Sequence, residues 1–336
     1  MIKWNENDLI FLLGAGASVD AGLPTVANLT QDLRKNLLTL SDNNGAPRPE
    51  FGELFEFIAR IDPTVEGNYE LFFEWVRLLL DVQKEPFRKI IIAKISDSLI
   101  EAAAHLTFVV GGEVARILES KRPSPDYLGR LADFLPEKGR LKVFTLNFDC
   151  CLEDACQAAG VTLTTGFGPI KRKWKPSLFR SRSKGINLYK LHGSLGWYGT
   201  RDFRLSGQCK YVHMELRPEE RKNFPTYFEV SSKPRLVLGP GSKMEPDDPF
   251  PTLFCNFQSS LSCAKMCIII GYSYQDPYIN DALERASDTG IRIIDVNPSG
   301  PASRYLASKR YHHLPFTAKN ALESGAIKAE IERVTL

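Results

Sequence analysis

Apolar positions in this chain fall into short continuous runs, separated by longer stretches of helical spacing. Leu9-Ile-Phe-Leu-Leu13 is closed by Gly14, and a run this short and unbroken suits a strand buried on both faces. A Gly-rich segment follows (GAGAS, 14–18, then VDAGLPT, 19–25), and a helical pattern runs from Val26 to about Leu40. Residues 41–65 are rich in turn formers (Asn43, Asn44, Gly45, Pro47, Pro49). Leu71, Phe72, Trp75, Leu78 and Leu79 share one face of a predicted helix over 69–83, and helical patterns also cover 90–110 and 113–120. Strand signals resume at 141–146, 161–165, 186–191, 236–238, 266–270 and 291–296, with helices expected over 147–160, 249–265 and 278–287. Alternation of this kind predicts an α/β fold: a Rossmann-like, mostly parallel sheet with helices on both faces. Residues 1–336 are expected to form a single nucleotide-binding domain, with 41–140 as a helical insertion within it.

Composition narrows the classes. At 336 residues a chain can bury about three quarters of its unfolded surface, so it needs neither disulfides nor metal to hold a core. The 43 Lys+Arg against 40 Asp+Glu leave a net charge of +3, too weak on average to imply nucleic-acid binding. No apolar run approaches the roughly 20 residues of a membrane span. The polar break in MIKWNENDLIFLL argues against a secretory signal, so a cytoplasmic location is expected. The seven cysteines (150, 151, 156, 209, 255, 263 and 267) form no CxxC pair, which points to buried thiols and no metal site. One stretch departs from the average: 171–190 holds Lys171, Arg172, Lys173, Lys175, Arg180, Arg182, Lys184 and Lys190, with Trp174 and Phe179 among them. A solvated loop or an interface arm explains it more simply than nucleic acid, and it could also steer an anionic substrate.

The candidate chemistry sits at predicted strand ends, where open α/β sheets bind ligands. Glycines 14 and 16 allow close backbone approach, and amides at a helix start can bind phosphate; Val19 in the third position leaves the dinucleotide fingerprint incomplete. Asn147 and Asp149 of TLNFD follow the 141–146 strand, where either side chain could face a ligand or cap the next helix. His192 of KLHGS follows the 186–191 strand and could move a proton near neutral pH. Gly271 and Ser273 of GYSYQDP could address a phosphate or ribose, Asp276 with Pro277 marks a helix start, and Asn297 of IDVNP is placed for a ribose hydroxyl or adenine edge.

In this order, GAGAS–AGLPT, TLNFD, KLHGS, GYSYQDP and IDVNP resemble the sirtuin family across roughly 8–300, and most closely its bacterial branch that hydrolyses NAD in anti-phage defence. The resemblance implies NAD as substrate, with no metal. It implies that Gly14, Ala15, Gly16, Ala17 and Ser18 hold the NAD phosphates, that Asn147 and Asp149 lie on the nicotinamide side, and that His192 is the base. Pro24, Thr25, Gly271, Tyr272, Ser273, Asp276 and Asn297 complete the expected nucleotide contacts. The chain departs from the protein-deacylating sirtuins in two ways. A four-Cys zinc module is missing after HGS, where only Cys209 precedes Cys255, and the helical block 41–140 replaces a more compact segment. Both turn the expectation from deacylation to hydrolysis, with a non-catalytic NAD or ADP-ribose sensor or scaffold as the alternative and a deacylase behind it. An enzyme that destroys NAD needs control. A homo-oligomer is therefore expected, with a defence partner in trans that the resemblance suggests is a hexameric ATPase or an Argonaute-like protein. Neither a membrane nor direct nucleic-acid binding is expected.

Overall fold

The computed structural model describes residues 4–41, 46–81, 96–168, 173–202, 211–216, 228–230, 234–239, 247–305 and 308–335. The chain divides into two compact units: Met1–Leu23 with Arg122–Leu236 and Met244–Leu336, and Pro24–Lys121 with Val237–Lys243.

The first unit is built on a sheet of seven strands, all parallel. They are β1 (Leu9–Leu13), β2 (Arg140–Thr145), β3 (Leu163–Thr164), β4 (Gly185–Lys190), β8 (Met266–Ile270), β9 (Arg292–Val296) and β10 (Tyr311–Leu314), in spatial order β10-β9-β8-β1-β2-β4-β3. From β1 the chain builds outward on one side through β2, β4 and β3, then returns to build β8, β9 and β10 on the other. The strand order therefore reverses between β1 and β8, and such a reversal opens a ligand crevice at the carboxyl ends of the strands. β1 and β8 are buried along their whole length, as their unbroken apolar runs require.

Helices cover both faces. Leu9, Phe11 and Leu13 pack into one core with the 3-10 segment Asp126–Phe134 (Leu128, Leu131, Phe134) and with the helices Cys151–Ala158, Ala318–Glu323 and Ala326–Thr335. On the opposite face Phe144 of β2 packs on Phe257 of the helix Phe250–Cys263, with ring centroids 5.0 Å apart. From Phe144 a train of ring contacts passes through Tyr189 (4.6 Å), Phe179 (4.2 Å), Trp174 (5.9 Å), Phe167 (5.3 Å) and Trp197 (5.0 Å), and returns to the same helix at Phe250 (6.2 Å). Ring pairs at these separations contribute about 0.5–1.5 kcal/mol each beyond their burial. A second, antiparallel sheet of three strands, β5 (Trp197–Asp202), β6 (Tyr211–Glu215) and β7 (Phe228–Val230), was not expected, nor was β10. Leu236–Leu238, expected as a strand, is not one: Leu236 makes a single bridge to Gly193.

The second unit is helical, with α1 (Val26–Thr39), α2 (Glu50–Ile61), α3 (Tyr69–Leu80) and α4 (Asp97–Glu119). Thr30 links two of them: its hydroxyl donates to Val26 O (2.7 Å) and accepts from Tyr69 N (2.8 Å) at the start of α3. Arg34 bridges Glu56 of α2 (2.6 Å) and Glu66 (3.7 Å). The helical unit comprises Pro24–Lys121 and Val237–Lys243, so α1 belongs to it. Turn residues obscured α2 within 41–65, although Phe51, Leu54, Phe55 and Ile58 carry its helical spacing and are buried. α4 runs unbroken through Gly111 and Gly112, where two helices were expected. By length and composition alone it could cross a membrane, but Ala102, Leu106, Val110 and Val114 bury one side of it within this unit.

Buried thiols were expected. Cys151, Cys156 and Cys267 are buried and Cys150 is half-buried, whereas Cys255 and Cys263 are exposed; Cys209 lies outside the described residues.

At the amino edge of the sheet Arg140 is 1% exposed, and its guanidinium donates to neutral oxygens while its amide N meets Glu6 Oε1 (3.4 Å). Nε donates to Asn187 Oδ1 (2.7 Å), Nη1 to Ser183 O and Oγ (3.2 and 3.0 Å), and Nη2 to Ile186 O and Thr162 O (2.8 and 3.3 Å). Burial lowers its basicity, but a guanidinium stays charged in proteins. Arg140→Met should cost about 2–4 kcal/mol in urea unfolding, because several buried acceptors lose their donor. Arg140→Lys should recover only part of that, since one ammonium cannot reproduce the planar fork.

Candidate active site

Five loops at the carboxyl edge carry the candidate residues, and two of them cross backbone on backbone. After β1, Gly14 N donates to Ile270 O and Gly16 N to Gly271 O, both at 2.9 Å. There is no room for side chains at this crossing. A Cβ on Gly14 would lie 2.6 Å from Gly271 O, one on Gly16 2.7 Å from Gly271 Cα, and one on Gly271 (φ +64°) 2.3 Å from the Gly16 carbonyl carbon. Two short 3-10 turns follow, Ala15–Ala17 and Val19–Ala21. The loop's amides were expected to face a phosphate, yet those of Gly14, Gly16, Ala17 and Ser18 all bond carbonyls within the protein. Ala15 is the exposed residue of this turn and Ser18 is buried. Tyr127 fixes the turn from below, its hydroxyl donating to Ala17 O at 2.6 Å.

After β2, Asn147 Nδ2 donates to Gly14 O (2.9 Å) and to Ser18 Oγ (3.2 Å), tying the end of β2 to the Gly-rich turn. Its amide N is held by Thr145 Oγ1 at 3.1 Å. Asn147 therefore does not cap the next helix. Asp149 Oδ1 accepts from Cys151 N (2.9 Å), which closes the turn just before Cys151–Ala158, whose N-cap position is Cys150. Both side chains are half-buried.

After β4 comes His192, with its side chain 5% exposed. Thr145 and Lys190 are register partners on adjacent parallel strands, so Asn147 and His192, each two residues further on, emerge side by side. The turn after His192 requires Gly193: φ is +87°, and a Cβ there would lie 2.1 Å from Arg235 O. Lys190, fully buried beneath the histidine, pairs with Glu153 (2.8 Å) and donates to Asp149 O. Burial alone would lower the lysine pKa, but the carboxylate of Glu153, with Cys150 and Asp149 nearby, pushes it above the ordinary value and keeps it charged. Burial likewise raises Glu153 against the pull of Lys190.

The GYSYQDP loop after β8 turns much of its polar character inward. Tyr272 is buried; its hydroxyl accepts from Asp276 N (3.1 Å) and meets Asp276 O (3.2 Å) and Asn280 Oδ1 (3.0 Å). Tyr274 takes a left-handed φ of +58°, which costs a non-glycine residue about 1–2 kcal/mol. Asn280 Nδ2 holds its carbonyl at 2.8 Å. Asp276, expected at the nucleotide, is 3% exposed; Oδ1 caps the helix Pro277–Thr289 through Tyr278 N (2.9 Å) and Ile279 N (3.3 Å), and Oδ2 lies 2.9 Å from His192 Nε2. Ser273 is exposed. At the end of β9, Asn297 Nδ2 bonds Tyr272 O (3.1 Å) and Oδ1 takes Ser299 N (3.0 Å), so this side chain spans two loops of the edge. Pro24 and Thr25 fall in the helical unit, where Thr25 Oγ1 caps α1 through Asn28 N at 3.2 Å.

Residues 141–310, which carry the ends of β2, β4, β8 and β9, match the family described as a SIR2-like domain. The chain belongs to the SIR2-like family. Among solved structures, this SIR2-like chain is similar to a Sir2 homologue in a 2'-O-acetyl ADP-ribose complex (17% identity, 98% of this chain and 93% of that chain, TM-score 0.44). It is similar to a Sir2 homologue–NAD complex at 17% identity (96% and 90%, TM-score 0.44). A structure from work on the mechanism and regulation of Sir2 enzymes aligns at 13% identity (98% and 94%, TM-score 0.46). No curated protein matches the chain.

One feature of the SIR2-like site lay outside the sequence expectations. Lys190 was counted with the basic stretch, but it is a buried prop for the Asp149 turn; its place inside the apolar run INLYKL was the available signal. Of that stretch, Lys175, Arg180, Arg182 and Lys184 are exposed and Lys173 is half-buried, while Lys171 and Arg172 lie outside the described residues. Trp174 and Phe179 pack in the aromatic train and are not presented as stacking platforms. Among the described residues no group of three or more His, Cys, Asp or Glu side chains converges as metal ligands would.

The glycine crossing yields a paired prediction. Gly271→Ala should cost about 2–4 kcal/mol, since backbone must move as well as accept strain. Gly300→Ala, with φ +102° but nothing within 4 Å of the new Cβ, should cost only about 1–2 kcal/mol. Chemical unfolding of the two variants measures the difference.

Proposed function

We propose that this SIR2-like protein is an NAD glycohydrolase, converting NAD to nicotinamide and ADP-ribose at the carboxyl edge of its parallel sheet. The observation that carries the reading is the register of β2 and β4, which brings Asn147 and His192 out side by side next to the Gly-rich turn and the strand-order reversal.

The residues present fit NAD. Both bonds of the Asn147 side chain use Nδ2, so Oδ1 keeps acceptor capacity for water or a ribose hydroxyl. In this reading the Asp149 carboxylate accepts from the carboxamide, and the exposed Ser273 offers a hydroxyl. In the reaction the bond between ribose C1′ and the nicotinamide nitrogen breaks, with its electron pair passing to the ring. The cationic leaving group needs no protonation. Positive charge grows on the sugar, as in other glycoside cleavages. Asn147 aligns the attacking water, and His192 accepts the proton that water loses as its oxygen bonds C1′.

In this reading the enzyme is an effector of bacterial anti-phage defence that acts in the cytoplasm by depleting NAD. Constitutive turnover would kill its host, so a homo-oligomer gated by a partner in trans is the expected form. A partner-free monomer with full activity in sedimentation and turnover assays would contradict that control.

Nicotinamide release from NAD by the pure protein tests the activity directly. Release only with an acylated peptide would indicate a deacylase, and NAD binding without release a sensor. His192→Ala should lower turnover by at least about 10²-fold with NAD binding retained. Asn147→Ala should abolish turnover and cost about 1–2 kcal/mol, because two bonds to the Gly-rich turn are lost with it. Normal turnover in folded Asn147→Ala protein would reduce Asn147 to a structural tie.

A further inference from the structure

We propose that Asp276 is a positioning residue for His192: its Oδ2 holds the Nε2–H of the imidazole, which leaves Nδ1 as the atom that accepts a proton during turnover. The inference rests on the reading of His192 as the base.

Its foundation is the division of one carboxylate between two tasks. Oδ1 accepts from Tyr278 N and Ile279 N, capping a helix of 13 residues with Pro277 in its first turn. Oδ2 lies 2.9 Å from His192 Nε2, and the two side chains are 3% and 5% exposed. A cap alone needs a single oxygen, and Ser, Thr or Asn serves as well as Asp. What those residues lack is a second anionic oxygen for a buried histidine. The backbone of Asp276 is clamped as well, because Tyr272 OH engages both its amide and its carbonyl. With backbone and Oδ1 fixed, the carboxylate plane cannot turn away from the ring. The helix N-terminus favours the ionised carboxylate, and an ionised carboxylate can only accept. In the proposed arrangement His192 donates from Nε2 across this 2.9 Å contact, and the hydrogen bond made by one ring nitrogen sets the role of the other.

The chemistry follows from that tautomer. As water oxygen bonds C1′ and nicotinamide departs with the electron pair of the broken bond, one water proton passes to Nδ1. The imidazolium so formed carries its charge against Asp276 at hydrogen-bond distance. Release of that proton to solvent restores the neutral ring. NAD and water are consumed, and nicotinamide, ADP-ribose and one proton are produced.

Asp276→Asn keeps the capping oxygen and removes the anionic partner. We expect its melting temperature to stay close to that of the parent, kcat to fall roughly 10²-fold, and KM for NAD to hold. In the His192→Ala background the same substitution should remove no further activity. Histidine 15N NMR of the parent protein should show His192 as the Nε2–H tautomer, and Asp276→Asn should populate the Nδ1–H form. Should Asp276→Asn not fold, Asp276→Ser supplies the cap in its place. A parent ring protonated on Nδ1 alone, or a folded Asp276→Asn with unchanged kcat, overturns the proposal. If the parent releases no nicotinamide, the functional reading fails by itself, and the tautomer measurement still decides whether Asp276 orients the ring.

Discussion

The backbone crossing of the Gly14–Ala17 turn over Gly271 is the constraint on which the carboxyl edge depends. It joins the two halves of the sheet at the point where strand order reverses, at a separation that excludes any Cβ. Other contacts are hung from it. Asn147 reaches its position by bonding Gly14 O, and Asn297 by bonding Tyr272 O, the residue next to Gly271. The GYSYQDP loop then continues to Asp276 and hence to His192. Glycines that look in sequence like a phosphate cradle are required first by the protein's own packing.

Beneath that crossing lies a layer of buried charge. Lys190 and Glu153 are poor choices for stability alone, because a buried ion pair recovers its desolvation cost only with good geometry and further bonds. Here the lysine also donates to Asp149 O, so the pair fixes the turn that carries Asp149 and follows Asn147. Arg140 does comparable work at the opposite edge, joining β2, β4 and the Thr162 and Ser183 segments through neutral oxygens. The sheet is thus held at both ends by buried cations and in its middle by apolar strands.

Much of this was legible in the sequence, for definable reasons. The central parallel strands announced themselves because burial on both faces demands continuous apolar runs, and Met266–Ile270 matched residue for residue, whereas the half-buried edge strand Tyr311–Leu314 was missed. The antiparallel strands Trp197–Asp202, Tyr211–Glu215 and Phe228–Val230 carry no such run and were missed. The helix Glu50–Ile61 was hidden because turn formers just before it dominated the reading of the whole segment. Strand-end polar residues could be picked out, but not their partners. That Asp276 turns to a histidine 84 positions earlier, or that Lys190 is a prop and not a surface charge, depends on distances no linear pattern carries. Asn147 was weighed as ligand contact or helix cap, whereas the structure also gives it a tie between loops.

The placement of β1 has a consequence for biogenesis. Leu9 pairs in register with Met266, so β1 leaves the ribosome well before the strand it pairs with. At about 5–20 residues per second that interval is roughly ten to fifty seconds. Throughout it Leu9–Leu13 is an apolar strand lacking its neighbour on the β8 side. Local helical contacts allow Pro24–Lys121 to gain structure early, while the parallel sheet, whose contacts close long loops, completes late. A nascent chain of this kind calls for shielding of its first strand during synthesis, and truncation before residue 266 would leave that strand permanently half-paired.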